Sequence, residues 1–372
     1  MLLSSTFWMF VLGLSLLLLG AELLVRGASR LAILFRISPL VVGLTVVAYG
    51  TSAAELAVCL RAVFTAQSSL AIATIVGSNI FNVLFVLGVS ASIRPLSVHR
   101  RLIRVDVPIM IAASVLCYAF AYGGILRRWH GIVLFLGAVA YTAFIILGAR
   151  RERSQSWDVT ESGVPATVAR TKRPSTFILQ AVLVLIGLVL ITVGARYLVS
   201  GAISVAKIAG ISETVIGLTI VAASTSLPEA AASIVATLRG KREIAVGNVV
   251  GSNVCNLLLV LGASAILAPS GIEVPTATLR FDMPVMIVVA VSCLPVFFIG
   301  NQIARWEGAL FISYYIAFVL FLIMQAGHYE ALPRFSLIML TFVIPLTVVT
   351  LIVLTVRTAR ANRKASVVGR TS

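Results

Sequence analysis

Gly50-Thr51-Ser52-Ala53-Ala54-Glu55, followed by Gly77-Ser78-Asn79-Ile80-Phe81-Asn82, returns later in the chain as Ser224-Thr225-Ser226-Leu227-Pro228-Glu229 followed by Gly251-Ser252-Asn253-Val254-Cys255-Asn256. Every matched pair is separated by 174 residues (225 − 51, 229 − 55, 252 − 78, 256 − 82). A gapless register through two motifs per copy marks an internal duplication, and each copy carries one acid inside apolar sequence. Smaller echoes agree. Ile37-Ser38-Pro39 matches Ile211-Ser212-Glu213, and Arg104-Val105-Asp106-Val107-Pro108 matches Arg280-Phe281-Asp282-Met283-Pro284. Asp106 and Asp282 read as helix N-caps followed by a proline in the first turn.

The 372 residues are 60% hydrophobic and 11% charged. A soluble domain needs more polar surface than that. Apolar runs of about twenty residues recur, the length needed to cross a hydrocarbon core of roughly 30 Å. The chain therefore reads as an all-α polytopic membrane protein. Its formal charge of +16 does not indicate nucleic acid, because the Arg and Lys lie between apolar runs rather than on one basic face. Cys59, Cys117, Cys255 and Cys293 form no metal-binding spacing and read as buried small hydrophobes. The apolar N-terminus lacks a preceding basic residue and a clear cleavage site, so it reads as a first helix.

Helices are expected at about 6–28, 41–64, 70–92, 106–122, 130–148, 176–200, 214–238, 244–267, 282–299, 307–326 and 336–356, eleven in all. Residues 1–148 form a first five-helix repeat, 149–175 a flexible basic linker, 176–326 a second five-helix repeat, and 327–372 an extra helix with a basic tail. With the N-terminus outside, 22 of the 29 Lys and Arg fall on the inner side and 7 on the outer. The positive-inside bias thus places the chain in the cell (plasma or inner) membrane with its C-terminus cytoplasmic. An odd number of helices per repeat requires the second copy to cross in the opposite sense. Such inverted-topology repeats are a recurrent transporter plan, with the site at their interface.

Ten residues from Val41 to Thr51 rise ~15 Å, which is about half the hydrocarbon core. Thr214 to Thr225 reaches a similar depth from the other face, and Ser78 and Ser252 lie ~12 Å into their own helices. Of the thirteen Asp and Glu, only Glu55 and Glu229 lie at the centre of an apolar span; Glu22 is near the inner end of the first helix. A carboxylate at that depth marks an ion or proton path more often than a structural hydrogen bond. Thr and Ser hydroxyls precede each Glu, Ser and Asn occupy the neighbouring helix, and a helix break frees backbone carbonyls. Pro228 accounts for the second break. An all-oxygen set with two carboxylates suits a hard cation, Ca2+ better than Mg2+.

The paired Thr-Ser-x-x-Glu and Gly-Ser-Asn-x-x-Asn motifs resemble the two alpha repeats of the calcium/cation antiporter superfamily, of the bacterial sodium/calcium exchanger type. The resemblance covers nearly all of residues 1–326. It implies a ten-helix exchanger core of two inverted repeats, with the calcium site between the second, third, seventh and eighth helices. Glu55 and Glu229 are then the main carboxylate ligands. Thr51, Ser52, Thr225 and Ser226 line the site, joined by the carbonyls of Ala48 and Ala222, while Ser78, Asn82, Ser252 and Asn256 complete the cage. The long first and sixth helices are expected to slide across the core. The sequence departs from the family pattern at Ala53-Ala54 (for Leu-Pro), Ala73-Thr74 (for Gly-Asn) and Ser224 (for Gly), so the two halves are expected to unwind unequally. Both Asn82 and Asn256 are amides where some exchangers carry an Asp.

Two glutamates balance one Ca2+, two Na+ or two H+, whereas three Na+ leave an uncompensated buried charge. The expected function is a secondary antiporter moving Ca2+ in exchange for Na+ or H+, with a monomer as the functional unit and no cofactor. Its partners are the two ions and the lipid bilayer. The alternatives are a passive cation channel and an antiporter for another divalent cation. No HExxH pair, nucleophile elbow or nucleotide loop points to an enzyme. His99, His130 and His328 are too dispersed to form a clustered pH switch.

Overall fold

The computed structural model describes residues 2–65, 67–152, 174–211, 213–298, 300–327, 329, 331–349 and 352. The chain is almost entirely helical. Its helices are α1 (Leu2–Phe35), α2 (Pro39–Phe64), α3 (Ser68–Ile93), α4 (Leu102–Ala121), α5 (Arg128–Glu152), α6 (Pro174–Ile208), α7a (213–224), α7b (Leu227–Leu238), α8 (Arg242–Leu267), α9 (Thr278–Phe298), α10 (Arg305–Ala326) and α11 (Leu332–Val349). Ten of the described helices are long and apolar enough to cross a membrane. The eleventh expected span is α7, which falls short because it breaks at Thr225-Ser226. Most of the basic linker (153–173) and the end of the tail (353–372), with His328, lie outside the described residues.

α1 and α6 run past their expected ends. At 34 and 35 residues they are each about 51 Å long, more than the hydrocarbon core needs. α1 stops where Arg36 takes φ 55° just before Ile37-Ser38-Pro39, and α6 stops before Gly210, at φ 75°. A left-handed residue just past the last turn closes a helix in this way.

These two helices lie antiparallel along a seam of glycines on a seven-residue period: Gly13, Gly20 and Gly27 on α1, and Gly187, Gly194 and Gly201 on α6. A Cβ on Gly20 would stand 2.7 Å from the Gly187 carbonyl, and one on Gly187 would stand 2.7 Å from the Leu24 amide nitrogen. The backbones therefore touch, as small residues permit between membrane helices. Glu22 of α1 pairs with Arg26 one turn on and with Arg239 at the end of α7b, the latter at 2.7 Å.

Two short antiparallel strand pairs clamp the ends of the bundle. β1 (Leu96–Ser97) pairs with β4 (Gln302–Ile303), and β2 (Ile125–Leu126) pairs with β3 (Ile272–Glu273). α4 separates β1 from β2, and α9 separates β3 from β4. Arginines at the starts of α5 and α10 reach across to cap the far half: Arg128 donates to the Ala268 carbonyl at 3.3 Å and Arg305 to the Ile93 carbonyl at 3.5 Å.

Asp106 and Asp282 are not N-caps. α4 and α9 begin four residues earlier, through π-helical turns Leu102–Asp106 and Thr278–Asp282. The helix boundary moved because the apolar residues of Leu102-Ile103 and their mates continue the buried face. Asp106 is fully buried and accepts from the Tyr141 hydroxyl at 3.1 Å, with Arg101 at 3.9 Å. All four cysteines are free and buried.

Gly187→Val is expected to lower stability by about 2 kcal/mol, the usual cost of overpacking a closed interface. Gly123→Ala, where nothing lies within 4 Å, should leave it unchanged. Thermal denaturation of the detergent-solubilised protein distinguishes the two.

Candidate functional site

Both motif helices break at the hydroxyl pair that precedes the acid. In α2 the interruption is Ser52 alone (φ −69°, ψ −2°), and in α7 it is Thr225 and Ser226, the latter at φ −97°, ψ 6°. Pro228 sits in the first turn of α7b, where its missing N–H costs no helical bond. The halves therefore unwind unequally, and the copy with the proline opens wider.

The breaks turn Glu55 and Glu229 into one buried cluster. The Ser52 hydroxyl donates to Glu229 Oε1 and the Ser226 hydroxyl donates to Glu55 Oε1, both at 3.4 Å, so each half serves the other's acid. The hydroxyls of Ser78 and Thr225 are 3.3 Å apart. Thr51 bonds back to the Val47 and Ala48 carbonyls and reaches Asn248 Oδ1 at 3.4 Å. The Ala48 carbonyl also accepts the Ser52 amide at 3.0 Å, whereas the Ser226 amide bonds Ala223 and bypasses the carbonyl of Ala222.

Glu55, Glu229, Ser78, Asn82, Ser226, Ser252 and Asn256 are fully buried, and Thr51, Ser52 and Ala48 are nearly so; Thr225 is half-buried. No Lys or Arg among the described residues forms a salt bridge with either glutamate. Among the described residues no cluster of three His, Cys, Asp or Glu occurs, so the remaining oxygens are neutral. Five oxygens of the whole cluster have no partner: Glu55 Oε2, Glu229 Oε2, Asn82 Oδ1, Asn256 Oδ1 and Ser252 Oγ. Buried acceptors left unpaired are costly, and two unpaired carboxylates more so. An oxygen set of this kind has a single chemical complement, a hard cation or protons.

Asn82 and Asn256 each open a π-helical turn, Asn82–Leu87 and Asn256–Val260, and another pair, Gly43–Val47 and Gly217–Val221, precedes the two breaks. π turns often mark functional sites; nothing in the apolar pattern announces them.

Three groups escaped sequence reasoning. Asn248 donates to the Glu229 carbonyl at 3.2 Å and to the Ser233 hydroxyl at 2.9 Å. Asn79 and Asn253 bond to each other's backbone across the two halves. The available signal was a polar residue in an otherwise apolar helix, three or four positions before a candidate ligand and so on the same face.

The two seams beside the site differ. α2a (39–51) is sealed on α8: a Cβ on Gly43 would lie 2.7 Å from the Ile244 carbonyl, and one on Gly251 would lie 2.8 Å from the Leu44 carbonyl. The equivalent seam runs between α7a and α3, and there Gly217 and Gly77 have nothing within 4 Å. Leu70 and Val221 are each 47% exposed, while their counterparts Ile244 and Val47 are at 0%. Half-buried Thr225 lies on this open side.

The sodium/calcium exchanger protein family model matches residues 5–147 and 179–324. The chain belongs to this family. The exchanger is 38% identical to inner membrane protein YrbG of Escherichia coli K12 over 283 residues, 76% of this chain and 86% of that protein. It is 31% identical to the sodium/calcium exchanger MaX1 of Methanosarcina acetivorans over 344 residues, 85% of this chain and 98% of that protein. The solved sodium-calcium exchanger NCX_Mj, soaked with Na+ and Sr2+, superposes with a TM-score of 0.70 at 29% identity, covering 84% of this chain and 96% of that one. The exchanger is thus a multi-pass membrane protein of a transporter family.

Ser252→Ala, which deletes one unpartnered oxygen, is expected to weaken cation binding by about 1 kcal/mol, roughly fivefold. Ser264→Ala removes an equally buried, unpartnered hydroxyl twelve residues further along α8 and should change nothing. Calorimetric titration of Ca2+ into the solubilised protein tests the pair.

Proposed function

We propose that the chain is a secondary-active antiporter that carries Ca2+ against Na+ or H+ by alternating access to a midplane cage built on Glu55 and Glu229. The observation that carries this reading is the inequality of the two seams: the Gly43/Gly251 seam is sealed while its counterpart, Gly217/Gly77, stands open. A channel needs both open at once; a carrier needs one shut. The relatives named for sodium/calcium exchange support Ca2+ as the cargo.

The two five-helix halves, 1–148 and 176–326, cross the membrane in opposite senses. In favour of this, β3 follows the eighth helix as β1 follows the third, yet β3 pairs with β2 at the other end of α4. The basic linker (149–175) and the tail are cytoplasmic, the N-terminus is outside, and α11 lies beyond the core. In this orientation the open seam, where α3 begins, faces outward. The membrane is the cell (inner) membrane, and one chain is the functional unit.

With Asn82 and Asn256 neutral, the cage holds two negative charges, enough for one Ca2+ or two monovalent cations. A third Na+ would add an unbalanced charge at a cost of several kcal/mol. Exchange is therefore electroneutral, and the counter-ion enters the same oxygens that Ca2+ vacates.

Radiolabelled Ca2+ uptake into proteoliposomes under an outward Na+ gradient, an outward H+ gradient or neither tests the assignment. One gradient should drive uptake, and Glu55→Gln or Glu229→Gln should weaken Ca2+ binding by about 3 kcal/mol, on the order of a hundredfold. Gradient-independent flux would identify a channel, and absence of Ca2+ flux with another divalent ion carried would reassign the cargo.

An imposed valinomycin potential should leave the rate of exchange unchanged. A rate that follows the potential would overturn the two-charge balance.

A further inference from the structure

Asn79 and Asn253 stand 174 residues apart (253 − 79) and are each 2% exposed. Asn79 Nδ2 donates to the backbone carbonyl of Asn253, and Asn253 Nδ2 donates to the backbone carbonyl of Asn79, both at 3.3 Å. A carbonyl only accepts, so the nitrogen end of each amide is fixed and its Oδ1 must point the other way. There Asn253 Oδ1 accepts from Asn82 Nδ2 at 3.1 Å, and Asn79 Oδ1 accepts from Asn256 Nδ2 at 3.3 Å. The remaining hydrogens of the two inner amides face thioethers, Met286 Sδ at 3.8 Å and Met110 Sδ at 3.6 Å.

The orientation passes outward by elimination. With Nδ2 of Asn82 and Asn256 committed to the ring, their Oδ1 atoms must face away from it. Both are buried and without partner, as are Glu55 Oε2, Glu229 Oε2 and Ser252 Oγ. An amide is nearly symmetric in shape, so an untethered one turns over at little steric cost. Turned over, it would aim an N–H group at a cation, exchanging attraction for repulsion. A carboxylate has no such wrong face.

We propose that Asn79 and Asn253 are positioning residues: bonded across the two halves, they hold the Asn82 and Asn256 amides oxygen-first toward the cage and so set its affinity for a divalent cation. This rests on reading the cage as a cation site. Two neutral ligands of the cage owe their polarity to a ring of four asparagines rather than to their own identity.

The test is a double-mutant comparison in the full chain, reading Ca2+ affinity by calorimetry and the KM and maximal rate of Ca2+ exchange in proteoliposomes. Asn253→Leu removes the acceptor that holds Asn82, and should raise KM about tenfold with little change in maximal rate. Combined with Asn82→Asp, the same substitution should cost nothing, because a carboxylate presents oxygen whichever way it turns. Asn79→Ala, alone and with Asn256→Asp, reads the other half and serves if Asn253→Leu does not fold. An equal loss of affinity in both backgrounds would reduce Asn253 to packing and overturn the proposal, as would no loss in either. If the unsubstituted protein binds no Ca2+, the cage reading itself fails, a result distinct from either of these.

Discussion

Two carboxylates, Glu55 and Glu229, sit in an apolar bundle with no salt bridge to either among the described residues. Burying an unpaired charge costs several kcal/mol even after relaxation, and the interior answers that cost locally. Each helix breaks one turn before its acid, and a serine from the opposite half bonds each carboxylate. The remaining donors are hydroxyls and amides, which can turn oxygen toward a positive charge but cannot neutralise an anion. A cation or protons would satisfy the oxygens that the cluster leaves unpaired.

The rest of the bundle packs closely on one side of that cluster and loosely on the other. Glycines let α1 and α6 meet backbone to backbone, and others seal α2a onto α8. Related glycines on α3 and α7a meet nothing. The same sequence pattern is therefore packed in one copy and unpacked in the other. One residue differs between them: Gly247 lies against the Leu40 carbonyl in the sealed seam, and Ala73 holds its place in the open one.

Much of this was legible in the sequence because its signals are local. The 174-residue register paired the motifs, the apolar runs located all eleven helical segments, and the two acids with their hydroxyls named the cluster. What escaped depends on geometry between distant segments. π turns leave no mark on apolar periodicity, so α4 and α9 begin four residues before the expected 106 and 282, and Asp106 and Asp282 lie inside their helices rather than at the caps. α1 and α6 run on to Phe35 and Ile208, past the expected ends at 28 and 200. Asn79 and Asn253 stood inside the quoted motif, but their bonds join residues half a chain apart. The two seams share the Gly43/Gly217 and Gly251/Gly77 pairs, but the sealed one also holds Gly247, where the open one has Ala73.

Cross-bonding between the halves also shapes how the duplicated sequence can diverge. In the second half Asn248 bonds Ser233; the equivalent positions in the first hold Thr74 and Cys59, and the Cys59 thiol keeps the bond to the Ala71 carbonyl, at 3.6 Å, that Ser233 makes to Ala245. Changing only one member would strand a buried amide or hydroxyl, so such positions drift in pairs or not at all. The four asparagines, bonded from one half to the other, extend that rule across the duplication. Neither copy can change there alone without stranding a buried amide of the other.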